Sequence, residues 1–78
     1  MISVDLLVAI FEKHGYVSIK HGSVWVFVHR ENEEIFAFED WQAQVGLRFL
    51  VRLAEVQGSL LIKKELELIE RRLADLNS

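Results

Sequence analysis

Residues 16–38 read YVSIKHGSVWVFVHRENEEIFAF, and their apolar side chains recur with the period of two that is typical of β-strands. β-branched and aromatic residues dominate three short runs, which predict strands at residues 16–20, 23–29 and 35–38. A His21-Gly22 turn separates the first two runs, and a polar loop at residues 30–34 separates the last two. The segment therefore predicts a three-stranded antiparallel meander.

Pairing these strands through their turns assigns two faces to the sheet. A two-residue turn sets Ile19 opposite Val24, and a five-residue loop sets Val28 opposite Phe36. One predicted face is wholly apolar and is expected to lie under a helix; it comprises Val17, Ile19, Val24, Val26, Val28, Phe36 and Phe38. The other predicted face is mixed, with aromatic residues at its centre; it comprises Tyr16, Ser18, Lys20, Trp25, Phe27, His29, Ile35 and Ala37.

Helices are predicted on both sides of the meander. Ser3 suits the N-cap of a first helix, and Gly15 suits the left-handed position after its end. Beyond the strands, residues 41–57 show the helical period with apolar rows on two sides, and Asp40 is the expected N-cap. Gly58-Ser59 then predicts a stop and a restart, while a single continuous helix is the alternative.

The last predicted helix carries a seam of apolar side chains with the spacing of a coiled-coil heptad: Ile62, Leu66, Ile69, Leu73 and Leu76. Burying each of these side chains is worth about 1.5–3 kcal/mol, so a seam left in water would be costly. A second layer must cover it, either from within the chain or from a partner. We expect a homodimer or higher oligomer that is built mainly through the two C-terminal helices.

Together these elements predict one small α+β domain spanning residues 1–78, with an N-terminal helix, a three-stranded antiparallel meander and two C-terminal helices. Half of the chain is hydrophobic (51%) and none of it is proline, which excludes a disordered tail or a low-complexity linker. Its apolar runs are far shorter than the roughly 20 residues that a membrane span needs. The first residues lack the basic segment of an export signal, so we expect a cytoplasmic protein with no membrane association.

The ionisable residues favour a protein without catalytic, metal or cofactor chemistry. Nine basic and twelve acidic residues give a formal charge of −3, which argues against nucleic acid as the main partner. The chain has no cysteine, and its three histidines lack metal-ligand spacing. Its four glycines are isolated, so no phosphate-binding loop is present, and no serine lies in a nucleophile elbow. We therefore expect a non-enzyme that uses no cofactor and no metal.

Candidate binding residues lie on the mixed face, with aromatic side chains at the centre and a polar rim: Tyr16, Trp25, Phe27, Ile35, Lys20 and His29. Such a patch resembles a protein–protein hot spot, and it also resembles the sheets that stack RNA bases. A third interpretation is a second core layer covered by the last helix. The excess of apolar surface favours the first, and so predicts a regulator, inhibitor or adaptor that binds another protein.

The order of helix, three antiparallel strands and helix across residues 4–58 resembles that of double-stranded-RNA-binding domains and of HicA-type toxin domains. Gly15-Tyr16, Gly22-Ser23 and Phe27 are similar to the HicA pattern. That family carries its catalytic histidine directly after the Gly-Ser pair, where this chain has Val24. The resemblance implies an alternative function, a nucleic-acid-binding regulator that is either like the double-stranded-RNA-binding domains or a catalytically inactive relative of HicA.

Overall fold

A computed structural model describes residues 3–76 and shows the predicted α+β arrangement. In chain order its elements are α1 (Val4–Lys13), β1 (Tyr16–His21), β2 (Val24–His29), β3 (Ile35–Glu39), α2 (Asp40–Val45), α3 (Leu47–Gln57) and α4 (Leu60–Leu76). The strands form one antiparallel sheet in the order β1-β2-β3. Within the described residues, every helix is too short or too polar to cross a membrane.

Helix α1 begins and ends where the sequence predicts. The Ser3 hydroxyl accepts a hydrogen bond from the Leu6 N–H at 3.2 Å, which satisfies one of the free donors of the first turn. Gly15 follows the helix with a φ of 89°, a conformation that favours glycine. Between these ends, Leu7 and Phe11 are buried against the sheet. Both predicted end signals are confirmed.

The single helix predicted for residues 41–57 is wrong, because Gly46 interrupts it. Its backbone adopts φ 135° and ψ 169°, which no helical residue has, and the chain starts a new helix at Leu47. The N-cap of α2 also differs by one residue from the prediction. It is Glu39, whose N–H donates to the Gln42 side chain at 2.8 Å, and Asp40 is the first helical residue.

A turn at Gly58 folds α3 and α4 into an antiparallel hairpin, so the stop-and-restart prediction is confirmed. Gly58 has a φ of 76°, and the Ser59 N–H donates to the Ala54 carbonyl at 2.9 Å. This pattern is typical of an α-helix that ends at a residue in the left-handed conformation. Across the hairpin, the Lys63 ammonium lies 2.7 Å from the Glu55 carboxylate.

The strand register differs from the prediction in both pairs. Ile19 lies opposite Val26 instead of Val24, because Gly22 and Ser23 form the turn and His21 still belongs to β1. This shift of two residues leaves each side chain on its face. In the second pair, Val28 lies opposite Ile35 instead of Phe36, a shift of one residue that exchanges the faces of β3 relative to β2.

The loop between β2 and β3 explains that second shift. The His29 N–H donates to the Glu34 carbonyl at 2.9 Å, so Glu34 already extends the ladder and the loop is one residue shorter than expected. Glu33 closes the loop with a φ of 56°, a left-handed conformation that is uncommon outside glycine. The register is therefore determined by the conformation of the loop.

The helices cover the aromatic face of the sheet, which reverses the predicted orientation of β1 and β2. This inner sheet face carries four buried aromatic side chains: Tyr16, Phe27, Phe36 and Phe38. Phe11 of α1 packs on it, with ring centroids 5.0 Å from Phe27 and 5.3 Å from Tyr16. Aromatic rings bury about 150–250 Å² each, more than valine, so covering them gives the larger gain. The predicted core residues of β1 and β2 instead lie on the opposite face: Val17, Ile19, Val24, Val26 and Val28.

The α4 seam is partly covered by the chain itself. Ile62, Leu66 and Ile69 are buried in the same core as the aromatic residues of the inner sheet face. The prediction that a partner copy covers them is wrong, because α3 and the sheet already do so. Of the five seam residues, only Leu73 and Leu76 remain exposed, Leu76 by 80%.

Candidate functional site

The side of the sheet that faces away from the helices is apolar and open to solvent. We call this surface the outer sheet face; its side chains are Val17, Ile19, Val24, Val26, Val28, Ile35 and Ala37. The relative exposures of Val17, Ile19 and Ile35 are 38%, 52% and 56%, and the other four are half-buried among their neighbours. These seven side chains are uncharged, and the ionisable residues on the same side of the sheet, His21 and Glu39, lie at one end, in the row of Val24.

The outer sheet face is held in place by the sheet itself. Six of its seven side chains are valine or isoleucine, whose branched Cβ restricts rotation about χ1. Their backbone is fixed by the β1–β2 and β2–β3 ladders. A partner that covers this surface would therefore order few additional rotamers, which lowers the entropic cost of binding.

A second group of apolar residues, three exposed and two half-buried, lies on α2 and α3. We call it the α2–α3 ridge; it comprises Trp41, Val45, Phe49, Leu53 and Val56. The Trp41 indole N–H donates to the Glu39 carboxylate at 2.9 Å, and its ring centroid lies 6.1 Å from that of Phe49. Because Glu39 ends β3, the first contact places Trp41 next to one end of the outer sheet face.

The six residues predicted as one binding patch do not share an exposed face. Tyr16 and Phe27 are buried core residues, so the covered-core interpretation is the correct one for them. Ile35 lies on the outer sheet face, because of the one-residue shift between β2 and β3. A base-stacking surface needs exposed aromatic rings, and burial removes Tyr16 and Phe27 from that role.

Trp25 and Lys20 form a local cluster at one end of the inner sheet face. The Trp25 indole N–H donates to the Asp40 carboxylate at 2.5 Å. The Lys20 ammonium lies 5.2 Å from the centre of the Trp25 ring and 3.9 Å from the same carboxylate. These contacts fix the start of α2 against β2, so the two side chains have structural partners within the chain.

His29 organises the loop after β2. Its Nδ1 accepts hydrogen bonds from the N–H groups of Glu31 and Asn32, at 3.2 and 3.1 Å. The Tyr16 ring packs against the imidazole at right angles, with centroids 4.7 Å apart. With Nδ1 occupied by two donors, that nitrogen is not free to act as a general base.

A shallow cavity of about 240 Å³ lies between the sheet and α4, lined by His14, Tyr16, His29, Leu61, Lys64 and Glu65. Burial raises the pKa of Tyr16 to about 12, and the carboxylates of Glu34 and Glu65 add to this rise. His14 Nδ1 lies 3.1 Å from the Glu65 carboxylate. A phenol with this pKa stays protonated near neutral pH and is a poor nucleophile. Residues 3–76 also contain no cluster of three side chains that could hold a metal ion.

The free edge of β3 is covered by two side chains that the sequence did not point to. The Gln57 amide accepts from the Ala37 N–H at 2.9 Å and donates to the Ala37 carbonyl at 2.7 Å. The Ser59 hydroxyl donates to the Ile35 carbonyl at 2.5 Å. These contacts satisfy backbone groups on the edge of β3 that has no partner strand.

Glu34 caps α4 from a distance in the sequence. Its carboxylate accepts hydrogen bonds from the N–H groups of Leu61 and Ile62, at 3.2 and 3.0 Å. A side-chain carboxylate at this position satisfies free donors and complements the positive end of the helix. No local sequence pattern predicts this contact, because Leu61 and Ile62 are 27 and 28 residues from Glu34 in the chain.

Comparison with known proteins gives no assignment. No protein-family model, curated protein or solved structure matches the chain. Val24, at the position of the HicA catalytic histidine, lies half-buried on the outer sheet face. The function must therefore be inferred from the surfaces and contacts described above.

Proposed function

We propose that this protein is a non-enzymatic interaction module, a regulator, inhibitor or adaptor, that binds a partner protein through the outer sheet face. One observation carries the proposal: within residues 3–76, no helix lies over a sheet face of seven aliphatic residues. Contiguous apolar surface of this kind on a small protein typically marks a binding site.

The energetics support a protein partner with an apolar surface of its own. Fully burying one valine or isoleucine is worth about 1.5–3 kcal/mol, and Ile19 and Ile35 still expose about half of their area. The α2–α3 ridge extends the surface and offers Trp41, exposed by 55%, as an aromatic anchor. The partner would cover both groups.

A non-enzymatic role is supported by the state of the polar side chains in the cavity beside α4. The Tyr16 phenol has a raised pKa, and the His29 Nδ1 is held by two backbone donors. Both features stabilise the fold and oppose proton transfer or nucleophilic attack near neutral pH. The cysteine-free sequence supports the cytoplasm as the compartment in which the module acts.

The experiment compares two lysine substitutions at apolar residues of similar exposure. Ile35→Lys places a charge on the outer sheet face, whereas Leu6→Lys places it on α1; the wild-type residues are exposed by 56% and 51%. Each immobilised variant is used to capture proteins from a lysate of the source organism, followed by mass spectrometry.

We expect one protein to be retained by the wild type and by Leu6→Lys, and its recovery to fall at least about tenfold with Ile35→Lys, as for a disrupted interface residue. Titration of the purified partner then measures the two dissociation constants. Equal binding of the two variants would overturn the proposal, and so would a captured protein that binds Leu6→Lys less well than Ile35→Lys.

A further inference from the structure

The two edges of the sheet differ in whether their outward backbone groups have hydrogen-bond partners within the chain. On β3, the Gln57 side chain binds both outward backbone groups of Ala37, and the Ser59 hydroxyl binds the Ile35 carbonyl. On β1, the Arg30 N–H donates to the Gly15 carbonyl at 3.0 Å, which fixes the alternation along that strand. The backbone groups of every second residue therefore point away from β2: those of Tyr16, Ser18 and Lys20. Tyr16 is buried, with a relative exposure of 3%, whereas Ser18 and Lys20 are accessible, and among residues 3–76 no hydrogen bond reaches their outward backbone groups.

We infer that β1 is a pairing edge and that its partner is β1 of a second copy of this chain. An antiparallel pair with its two-fold axis at Ile19 sets Ile19 opposite its own copy and Ser18 opposite the Lys20 of the other copy. This register uses the outward N–H and C=O groups of Ser18 and Lys20 on both strands and leaves the buried Tyr16 outside the pairing. It joins the two sheets into one continuous sheet.

The side chains on the outer sheet face support this symmetric register. Ile19 of each copy lies opposite Ile19 of the other, and it is exposed by 52% in the single chain. Directly opposed aliphatic pairs stabilise an antiparallel ladder. Because the outer faces of the two copies become adjacent, the pairing also doubles the width of the apolar surface.

On the inner side of the sheet, the charges of Glu12 in one copy and Lys20 in the other are complementary. The Glu12 carboxylate lies beside the β1 edge, where it accepts a hydrogen bond from the Ser18 hydroxyl at 3.5 Å. The register brings Lys20 of the second copy opposite Ser18, the residue whose hydroxyl this carboxylate binds. By symmetry the dimer gains two such Glu–Lys juxtapositions.

Proline and bulges, two of the features that usually prevent edge pairing, are absent from β1 within the described residues. Natural edge strands are also blunted by covering elements and by charged side chains, especially lysine. β1 carries one such charge, Lys20, whose ammonium lies 3.9 Å from the Asp40 carboxylate of the same chain. The chain has no proline, and β1 pairs with β2 through six consecutive residues without a bulge. The β3 edge, in contrast, is covered, so we expect association at β1 alone and a closed dimer.

Sedimentation equilibrium over a micromolar to millimolar concentration series tests the inference. The wild type is expected to show a monomer–dimer equilibrium. Ser18→Pro removes an outward N–H and crowds the edge without removing a bond of the β1–β2 ladder. It should weaken the dimer at least about tenfold while the monomer keeps its circular dichroism spectrum, as expected for proline on an edge strand.

Hydrogen exchange of the wild type supplies a second readout that does not depend on how Ser18→Pro folds. The Ser18 amide should become protected as the protein concentration rises, whereas the Ala37 amide, bound by Gln57, should exchange at the same rate throughout. A protein that stays monomeric at millimolar concentration would contradict the inference. So would a dimer in which Ser18 exchange does not depend on concentration.

The outcome is separable from that of the proposed function. Ile35 lies on β3, away from the β1 edge, so Ile35→Lys should abolish partner capture and leave the dimer intact. Loss of the dimer by Leu73→Lys and not by Ser18→Pro would assign the contact to α4 and overturn β1 pairing.

Discussion

The inner and outer sheet faces both carry many apolar side chains, yet the helices cover only the inner face. On β2, Phe27 is completely buried while its neighbour Val26 is only half-buried, although both residues are hydrophobic and belong to the same strand. The helices pack on the face with the larger side chains and leave the aliphatic face open. Hydropathy alone therefore does not identify the core side of a sheet; the size and shape of the side chains that the helices must meet also decide it.

The largest expected difference between the faces is in stability. Phe27→Ala leaves a cavity beside Phe11 and Phe38, whose ring centroids lie 5.0 and 5.4 Å away, and should lower the free energy of unfolding by about 3–5 kcal/mol. Ile19→Ala, at a half-exposed site of the outer sheet face, should lower it by less than about 1 kcal/mol. Urea denaturation of both variants measures the two values, and equal losses would show that the faces are packed alike.

The inner sheet face should also respond to alkali. Burial raises the pKa of Tyr16 from 10.0 to about 12, so the unfolded chain loses this proton before the folded one does. The resulting stabilisation is present in full below pH 10 and is lost progressively as the pH rises towards 12. Because Tyr16 is the only tyrosine, the ultraviolet absorbance of tyrosinate reports it directly. A midpoint near 10 in the folded protein would mean that the phenol is open to water.

The helical layer that covers the inner face depends on the turn at Gly58. A Cβ there has open space around it, so the cost of Gly58→Ala arises from the φ of 76° and should be about 1 kcal/mol. Thermal denaturation measures this loss. A higher melting temperature would indicate that α3 and α4 form one continuous helix and that the inner face is covered differently.

The smallest expected effect is at the exposed ion pair of the hairpin. The hydrogen bond and charge of Lys63 lower the pKa of Glu55 below its usual 4.5. The pair therefore stabilises the fold above that pH, and this contribution is lost as the pH falls through the lowered pKa. Lys63→Met should remove only this acid dependence, and high salt should mimic it, because the pair is solvent-exposed. Identical pH profiles for the wild type and Lys63→Met would show that the pair contributes nothing.

The features that the sequence predicted correctly are those with a local cause. Ser3 caps α1 through an N–H three residues away, and Gly15 and Gly58 end their helices in conformations that glycine favours. Three strands followed from alternation and from their turns. Each of these features needs only a few neighbouring residues to be recognised.

The orientation of the sheet could not be read in the same way. Valine and phenylalanine both score as apolar, so alternation in β2 shows two possible cores and does not choose between them. The pairing of β3 depends on Glu33, a non-glycine residue with a φ of 56°. One residue of difference in that loop moved Ile35 from the predicted aromatic patch to the outer sheet face.

Contacts between distant residues account for the other features that were missed. Gln57 binds Ala37 across 20 residues, and Ser59 binds Ile35 across 24. Ser59 suits a helix N-cap by its position, yet Glu34 supplies the carboxylate that receives the first N–H groups of α4. Such pairings depend on the assembled fold, and a single sequence carries no local signal for them.

The most direct test of the central claim is solvent accessibility of the two sheet faces in the unmodified monomer. A soluble paramagnetic agent broadens the NMR signals of protons that it can approach. In dilute solution, the methyl signals of Ile19 and Ile35 should broaden strongly, whereas the ring signals of Phe27 and Phe36 should be nearly unaffected. Broadened phenylalanine rings together with protected isoleucine methyls would contradict the account, because the helices would then cover the aliphatic face.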